Sequence, residues 1–139
     1  MKVKEVMTGQ IETISPDSTL EQAARKMCLR DIGILPVVDE DIILGVVTDR
    51  DLVIRGLAEG RPSHLTVIRQ VMTPVALTCY EDQSITEVSK LMEKNMVRRL
   101  LVLDRNEKLV GLVSLTDLAL KVPNEKVSGH VLSKISIPA

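Results

Sequence analysis

No phenylalanine and no tryptophan occur among the 139 residues, and Tyr80 is the single aromatic side chain. The core must therefore be aliphatic, and the stacking platforms on which proteins lay single-stranded nucleic acid are missing. An excess of either charge is missing too: 18 basic residues stand against 19 acidic ones, a net charge of −1. Duplex binding relies on clustered Lys and Arg that displace counterions, so this balance speaks against DNA. Cysteine is scarce. Cys28 and Cys79 have no CxxC and no nearby His at ligand spacing, and we read both as reduced core thiols of a cytoplasmic protein. The N-terminal "MKVKEVMTGQ" carries no apolar h-region, and runs such as "IILGVV" and "LLVL" are too short to span a bilayer. Neither nucleic acid nor a membrane is expected as a partner.

What the sequence does contain is a repeat. "EVMTGQIETISPDSTLEQAARKM" aligns with "QVMTPVALTCYEDQSITEVSKLM" at an offset of 65. The match continues from "LPVVDEDIILGVVTDRDL" into "LLVLDRNEKLVGLVSLTDL" after a one-residue insertion near Asn106. Val6, Met7, Thr8, Met27, Gly45, Asp51 and Leu52 recur as Val71, Met72, Thr73, Met92, Gly111, Asp117 and Leu118. A tandem duplication is the simplest account.

Both copies predict the same elements. An extended piece around Thr13 or Thr78 precedes a helix announced by "STLE" (18–21) or "SITE" (84–87), each read as a capping box. Leu20, Ala23, Ala24 and Met27 fall on one helical stripe, expected to be buried. Two strand-like runs follow, "ILPVVD" and "IILGVV", joined by the acidic turn Asp39–Asp41; Pro36 suits a strand start or edge. A second helix starts after Thr48 and runs toward Gly56. The expected fold class is α+β, two β-α-β-β-α repeats packed with pseudo-twofold symmetry around a shared core. One copy of about 55 residues is too small to bury its own elements. The domain reading is 1–58 for the first repeat, 59–67 for a linker, 68–121 for the second repeat and 122–139 for a tail. Val127, Val131, Leu132 and Ile135 predict a short helix in that tail.

The chemistry concentrates in "GVVTDRD" (45–51) and "GLVSLTD" (111–117). One reading is structural: Thr48 and Asp51, or Ser114 and Asp117, form a capping box, and the glycine admits a neighbouring backbone. The other reading uses the same geometry for a ligand. A helix N-terminus offers unpaired N–H groups to phosphate, the hydroxyl can donate to a phosphate oxygen, and the carboxylate can accept from a ribose diol. The glycine would then leave room for a ligand, and aliphatic side chains would hold an adenine ring. Both readings stand at this level. Arg98 and Arg99, where the first copy has Gly33 and Ile34, are either a solvated basic pair or forked donors at a cleft mouth. Arg50 and Thr116 are further polar candidates. His64 sits in the linker and His130 in the tail, without spacing for a metal site or a catalytic triad; no enzyme is expected.

These marks, "LPVVD" followed by "GVVTDRDL" and their second occurrence, resemble the cystathionine-β-synthase (CBS) domain. The whole chain resembles a stand-alone bacterial CBS pair, or Bateman module. The resemblance covers roughly residues 1–120 and implies binding of AMP, ADP, ATP or S-adenosylmethionine between the repeats. It implies ribose binding by Asp51 and Asp117 and polar contact by Thr48 and Ser114. Ile32, Gly33, Val97 and Arg98 would flank the ligand, and segments near Glu12 and Leu77 would offer backbone groups to adenine. The second copy departs from the family pattern at Leu101 and Leu115, where the first has Pro36 and Asp49. The implied role is a regulatory sensor without catalysis or cofactor, and the implied assembly a homodimer. The alternative is a structural or stress-response CBS pair with unoccupied clefts.

Overall fold

The computed structural model describes residues 1–74, 76–123, 129, 132, 134 and 135. Val127, Val131 and His130 lie outside the described residues, so the tail-helix expectation does too. The fold is α+β with two sheets. The chain divides into two compact units that do not follow the repeat. One unit is Glu12–Ala76, and the other joins Met1–Ile11 to Leu77–Ala139. Among the described residues no helix is long and apolar enough to cross a membrane.

In the unit Glu12–Ala76, helix α1 (Leu20–Arg30) is followed by β2 (Ile34–Asp39), β3 (Ile42–Thr48) and a helical run from Asp49 to Glu59. That run is one α-turn (α2, Asp49–Asp51) continued by a π-helical stretch, Leu52–Gly56, and a 3-10 turn. Strand β4 (Thr73–Pro74) completes an antiparallel sheet in the order β2-β3-β4. Glu40 and Asp41 both have positive φ (47° and 66°), the backbone that a two-residue hairpin turn needs. The expected hairpin is present.

In the other unit, β1 (Thr8–Gly9), β5 (Thr78–Tyr80), α3 (Ile85–Asn95), β6 (Arg99–Leu103), β7 (Leu109–Ser114) and α4 (Leu115–Lys121) follow the same plan. The sheet order is β1-β7-β6-β5, with β5 and β6 parallel. This unit has one strand more because of a single substitution. The Leu101 N–H donates to the Leu77 carbonyl at 3.1 Å, which anchors β5 on β6. Its counterpart Pro36 has no N–H to give, and the matching segment is reduced to one parallel bridge, Ile14 with Val37.

Two apolar clusters are described, one in each unit. One apolar cluster holds Ile14, Leu20, Met27, Leu35, Val37, Val47, Ile68 and Val71. The other holds Val3, Val6, Ile85, Val88, Met92, Leu100, Val102, Val113 and Leu118. Each lies wholly within one compact unit. Each unit therefore completes its core with a Val-Met-Thr segment that the sequence repeat assigns to the other copy.

Three local readings also change. The first cap is shifted by one residue: Thr19, not Ser18, accepts from the Gln22 N–H at 3.2 Å, and Gln22 Oε1 accepts from the Thr19 N–H at 2.9 Å. The Leu20 N–H is held by the Thr66 carbonyl at 3.0 Å, which sets the entry of the chain. On α1 the buried residues are Leu20, Ala23 and Met27, while Ala24 and Cys28 are exposed. Each of these two follows a buried residue by one position, about 100° round the helix. Cys28 is thus no core thiol. Cys79 is, and its burial pushes the thiol pKa up to about 12.

Candidate functional site

Each motif forms at the end of a hairpin strand, where β3 or β7 turns into a helix. In the unit Glu12–Ala76, Thr48 Oγ1 accepts from the Asp51 N–H at 3.1 Å, and Asp51 Oδ2 accepts from the Thr48 N–H at 2.9 Å. In the other unit, Ser114 Oγ accepts from the Asp117 N–H at 3.1 Å, and Asp117 Oδ2 accepts from the Ser114 N–H at 2.9 Å. The capping-box reading is realised twice. Asp51 and Asp117 are each only 8% exposed, deeper than a cap alone requires. Their second oxygens, Oδ1, face Arg55 Nη1 at 3.9 Å and Lys121 Nζ at 3.3 Å.

The two readings of the glycines separate here. A Cβ on Gly45 would lie 2.1 Å from the Thr73 carbonyl oxygen, and one on Gly111 would lie 2.7 Å from that of Thr8. The space is taken by the backbone of β4 and β1, so these glycines leave no room for a ligand. The offer of free N–H groups at the helix start is corrected in part: the N–H of Asp51 and of Asp117 is used by the cap. The Leu115 N–H is used by the Arg98 carbonyl, at 2.8 Å.

The structure does gather four of the candidates. Arg98, Arg99, Ser114 and Thr116 line an open cavity of about 350 Å³, together with Leu115, Ala119, Leu120 and Leu132. Strand pairing sets Arg99 opposite Ser114, which explains why basic and hydroxyl groups meet. Both arginines are exposed, and among the described residues no carboxylate pairs with either. Asp117 does not line the cavity; it is bonded to Ser114, which does.

The remaining candidates lie apart from it. Val97 is half-buried against the core of its unit. Leu77 is exposed and gives its carbonyl to Leu101. In the unit Glu12–Ala76, Ile32 packs on the core, and the Gly33 carbonyl accepts from the Asp49 N–H at 3.0 Å. Asp49 carries its carboxylate against Gly33, 2.9 Å from where a Cβ would stand. Arg50 is exposed. Glu12 is engaged by Arg30 at 3.0 Å and Lys26 at 3.8 Å. The first motif therefore presents an acid where the second presents Leu115, and a bare Gly33 where the second presents Arg98.

Arg55 and Lys121 went unread from sequence. Their signal was present: a cation four residues after each motif aspartate, the spacing at which helical side chains meet. Among the described residues, no group of three or more His, Cys, Asp or Glu side chains is placed to hold a metal.

Comparison with known proteins agrees with this geometry. The CBS domain model matches residues 3–56 and 68–124. CBS domain-containing protein YhcV of Bacillus subtilis is 37% identical over 134 residues, covering 96% of this chain and 94% of its own. The crystal structure of Hypoxic Response Protein I with two coordinated zinc ions is 32% identical with a TM-score of 0.77, covering 88% of this chain and all of that one. The CBS domain pair of protein MJ0100, in complex with 5′-methylthioadenosine and S-adenosyl-L-methionine, is 26% identical with a TM-score of 0.75, covering 86% and 93%. A duplicated hairpin-to-helix motif, repeated cap for cap in two compact units, is thus the mark of a family, and the chain belongs to the CBS-domain proteins.

Proposed function

We propose that this chain is a regulatory module that binds an adenine nucleotide and performs no chemistry of its own. The observation that carries the reading is the cavity of about 350 Å³ at the second motif, a volume in the range of small-ligand sites. Arg98 and Arg99 supply forked donors for phosphate, Ser114 and Thr116 supply hydroxyls, and Leu115, Ala119, Leu120 and Leu132 supply an aliphatic wall for the base. The adenosyl ligands of the MJ0100 pair support the ligand class. Guanidiniums with no carboxylate partner among the described residues favour anionic AMP, ADP or ATP over S-adenosylmethionine, whose sulfonium is cationic. The first motif, with Asp49 against Gly33, is the weaker phosphate site.

A thermal-shift panel of adenine compounds on nucleotide-stripped protein tests this. A ligand at 100 times its Kd stabilises the fold by about 2.7 kcal/mol. Calorimetry then separates the roles. Arg98→Ala or Arg99→Ala should weaken AMP binding more than tenfold, a charge-assisted contact being worth about 1.5–3 kcal/mol, and leave adenosine nearly unchanged. Equal losses for both ligands would mean that the arginines only shape the cavity.

One observation favours the second reading, a structural CBS pair with empty clefts. Asp51 and Asp117 are already engaged on both oxygens. A flat thermal-shift panel decides for it. We read the assembly as a cytoplasmic homodimer. Val53, Ile54 and Leu57 on the helical run and Leu120 on α4 are exposed apolar side chains that an isologous contact would cover. Leu52 and Leu118, apolar helix residues that the sequence also suggests for this contact, pack on the cores of their units instead. Light scattering at micromolar concentration giving the chain mass of 15.4 kDa would exclude the dimer.

A further inference from the structure

In each unit one carboxylate serves both the helix cap and the crossing segment. Asp117 Oδ2 accepts from the Ser114 N–H and hydroxyl at 2.9 and 3.1 Å, while Oδ1 faces Lys121 Nζ at 3.3 Å. The same ammonium donates to the Val6 carbonyl at 2.9 Å, two residues before Thr8, where β1 begins to pair with β7. The other unit builds the same bridge from different atoms. Asp51 Oδ2 accepts from the Thr48 N–H, Oδ1 lies 3.9 Å from Arg55 Nη1, and that nitrogen donates to the carbonyls of Val71 at 3.2 Å and Met72 at 3.0 Å. Val71 is the repeat counterpart of Val6. An ammonium and a guanidinium thus join the same carboxylate oxygen to the same carbonyl, although the two side chains share no geometry.

We infer that Arg55 and Lys121 are positioning residues that tie the Val-Met-Thr segment of each unit to the motif aspartate, so that the state of the carboxylate reaches the segment. The regulatory half rests on the proposed nucleotide reading. Ser114 lines the cavity, and its hydroxyl donates to Asp117 Oδ2 at 3.1 Å, so a nucleotide that takes this hydroxyl disturbs the carboxylate the cation holds. Occupancy then weakens the tie and loosens the segment. A bound nucleotide is reported at β1, away from its own contacts.

Amide hydrogen exchange on the full chain tests the tether without ligand. Val6 and Met7 bond the Val3 carbonyl at 3.0 and 2.9 Å, and Val71 and Met72 bond that of Ile68 at 3.0 and 2.9 Å. Lys121 is 43% exposed in its side chain, so Lys121→Met opens no core. It should speed exchange at Val6 and Met7 by about tenfold, the factor carried by a charge-assisted hydrogen bond, and leave Val71 and Met72 unchanged. Lys121→Arg should restore protection. Asp117→Asn should speed the same amides, and the double variant no more than the larger single. Unchanged exchange in Lys121→Met, or additive effects in the double variant, overturns the tether. With AMP, the parent should exchange faster at Val6 and Met7, whereas Lys121→Met should bind AMP without a further rise. AMP binding that leaves the parent amides unmoved overturns the coupling. Failure of AMP to bind at all counts against the nucleotide reading, and the ligand-free amides still decide the tether.

Discussion

Gly45 and Gly111 occupy equivalent places, yet they tolerate a methyl group differently. At Gly45 the obstruction is backbone, the Thr73 oxygen at 2.1 Å from an added Cβ. At Gly111 the contacts are the Thr8 oxygen at 2.7 Å and the flexible Met7 Sδ at 2.8 Å. Overpacking costs about 1–3 kcal/mol, occasionally more. Gly45→Ala should therefore fall at the upper end in urea unfolding and Gly111→Ala at the lower; the reverse order would show that β1 cannot yield. The cysteines give a second residue-scale expectation. Cys79, buried and with its pKa pushed to about 12, is protonated at neutral pH and shielded, whereas Cys28 is exposed. Thiolate is the reactive form. A thiol reagent at pH 7 should modify Cys28 in the native protein and reach Cys79 only in denaturant, as peptide mapping would show. Native Cys79 should stay unreactive as the pH is raised toward 12, because burial keeps its thiol protonated.

At the scale of elements, the first helix shows how a cap is chosen. Ser18 and Thr19 both satisfy the sequence rule for an N-cap, with Glu21 and Gln22 three residues on. The choice falls on Thr19 because the Leu20 N–H is held by the Thr66 carbonyl, a residue distant in sequence. Thr19→Ala should cost about 1 kcal/mol, the usual worth of a cap. Ser18→Ala should cost only a few tenths, as for a surface site. Chemical denaturation of the two variants checks the assignment, and equal losses would contradict it. The same logic explains the two sheets. Pro36 and Leu101 differ by one N–H, and that donor separates a strand from a single bridge.

At the scale of the whole molecule, the units of packing and of duplication differ, and fragments should reveal it. A fragment 12–76 contains the complete cluster from Ile14 to Val71. A fragment 1–58, bounded as the sequence repeat suggests, lacks Ile68 and Val71 and one of the two partners of β3, the strand β4. Chains this short are marginal, so a missing strand and two core side chains should decide the outcome. Circular dichroism should show cooperative unfolding for 12–76 and little or none for 1–58. Cooperative unfolding of 1–58 would mean that β4 is dispensable.

Local periodicity, turn chemistry and the duplication determined the hairpins, the four main helices and the family, because these follow from contacts between near neighbours in the chain. "GVVTDRD" and "GLVSLTD" likewise announced their caps, and the pairing of Arg99 with Ser114 across β6 and β7 follows from the hairpin register. Which segment completes which core was beyond reach of the sequence, since both Val-Met-Thr copies fit both hairpins by pattern alone. The use of Gly45 and Gly111 was likewise open until the carbonyls of Thr73 and Thr8 were located. So was the bridging of Arg55 and Lys121 to a distant carbonyl. Those three matters depend on where a remote strand lies, and only long-range packing sets that position.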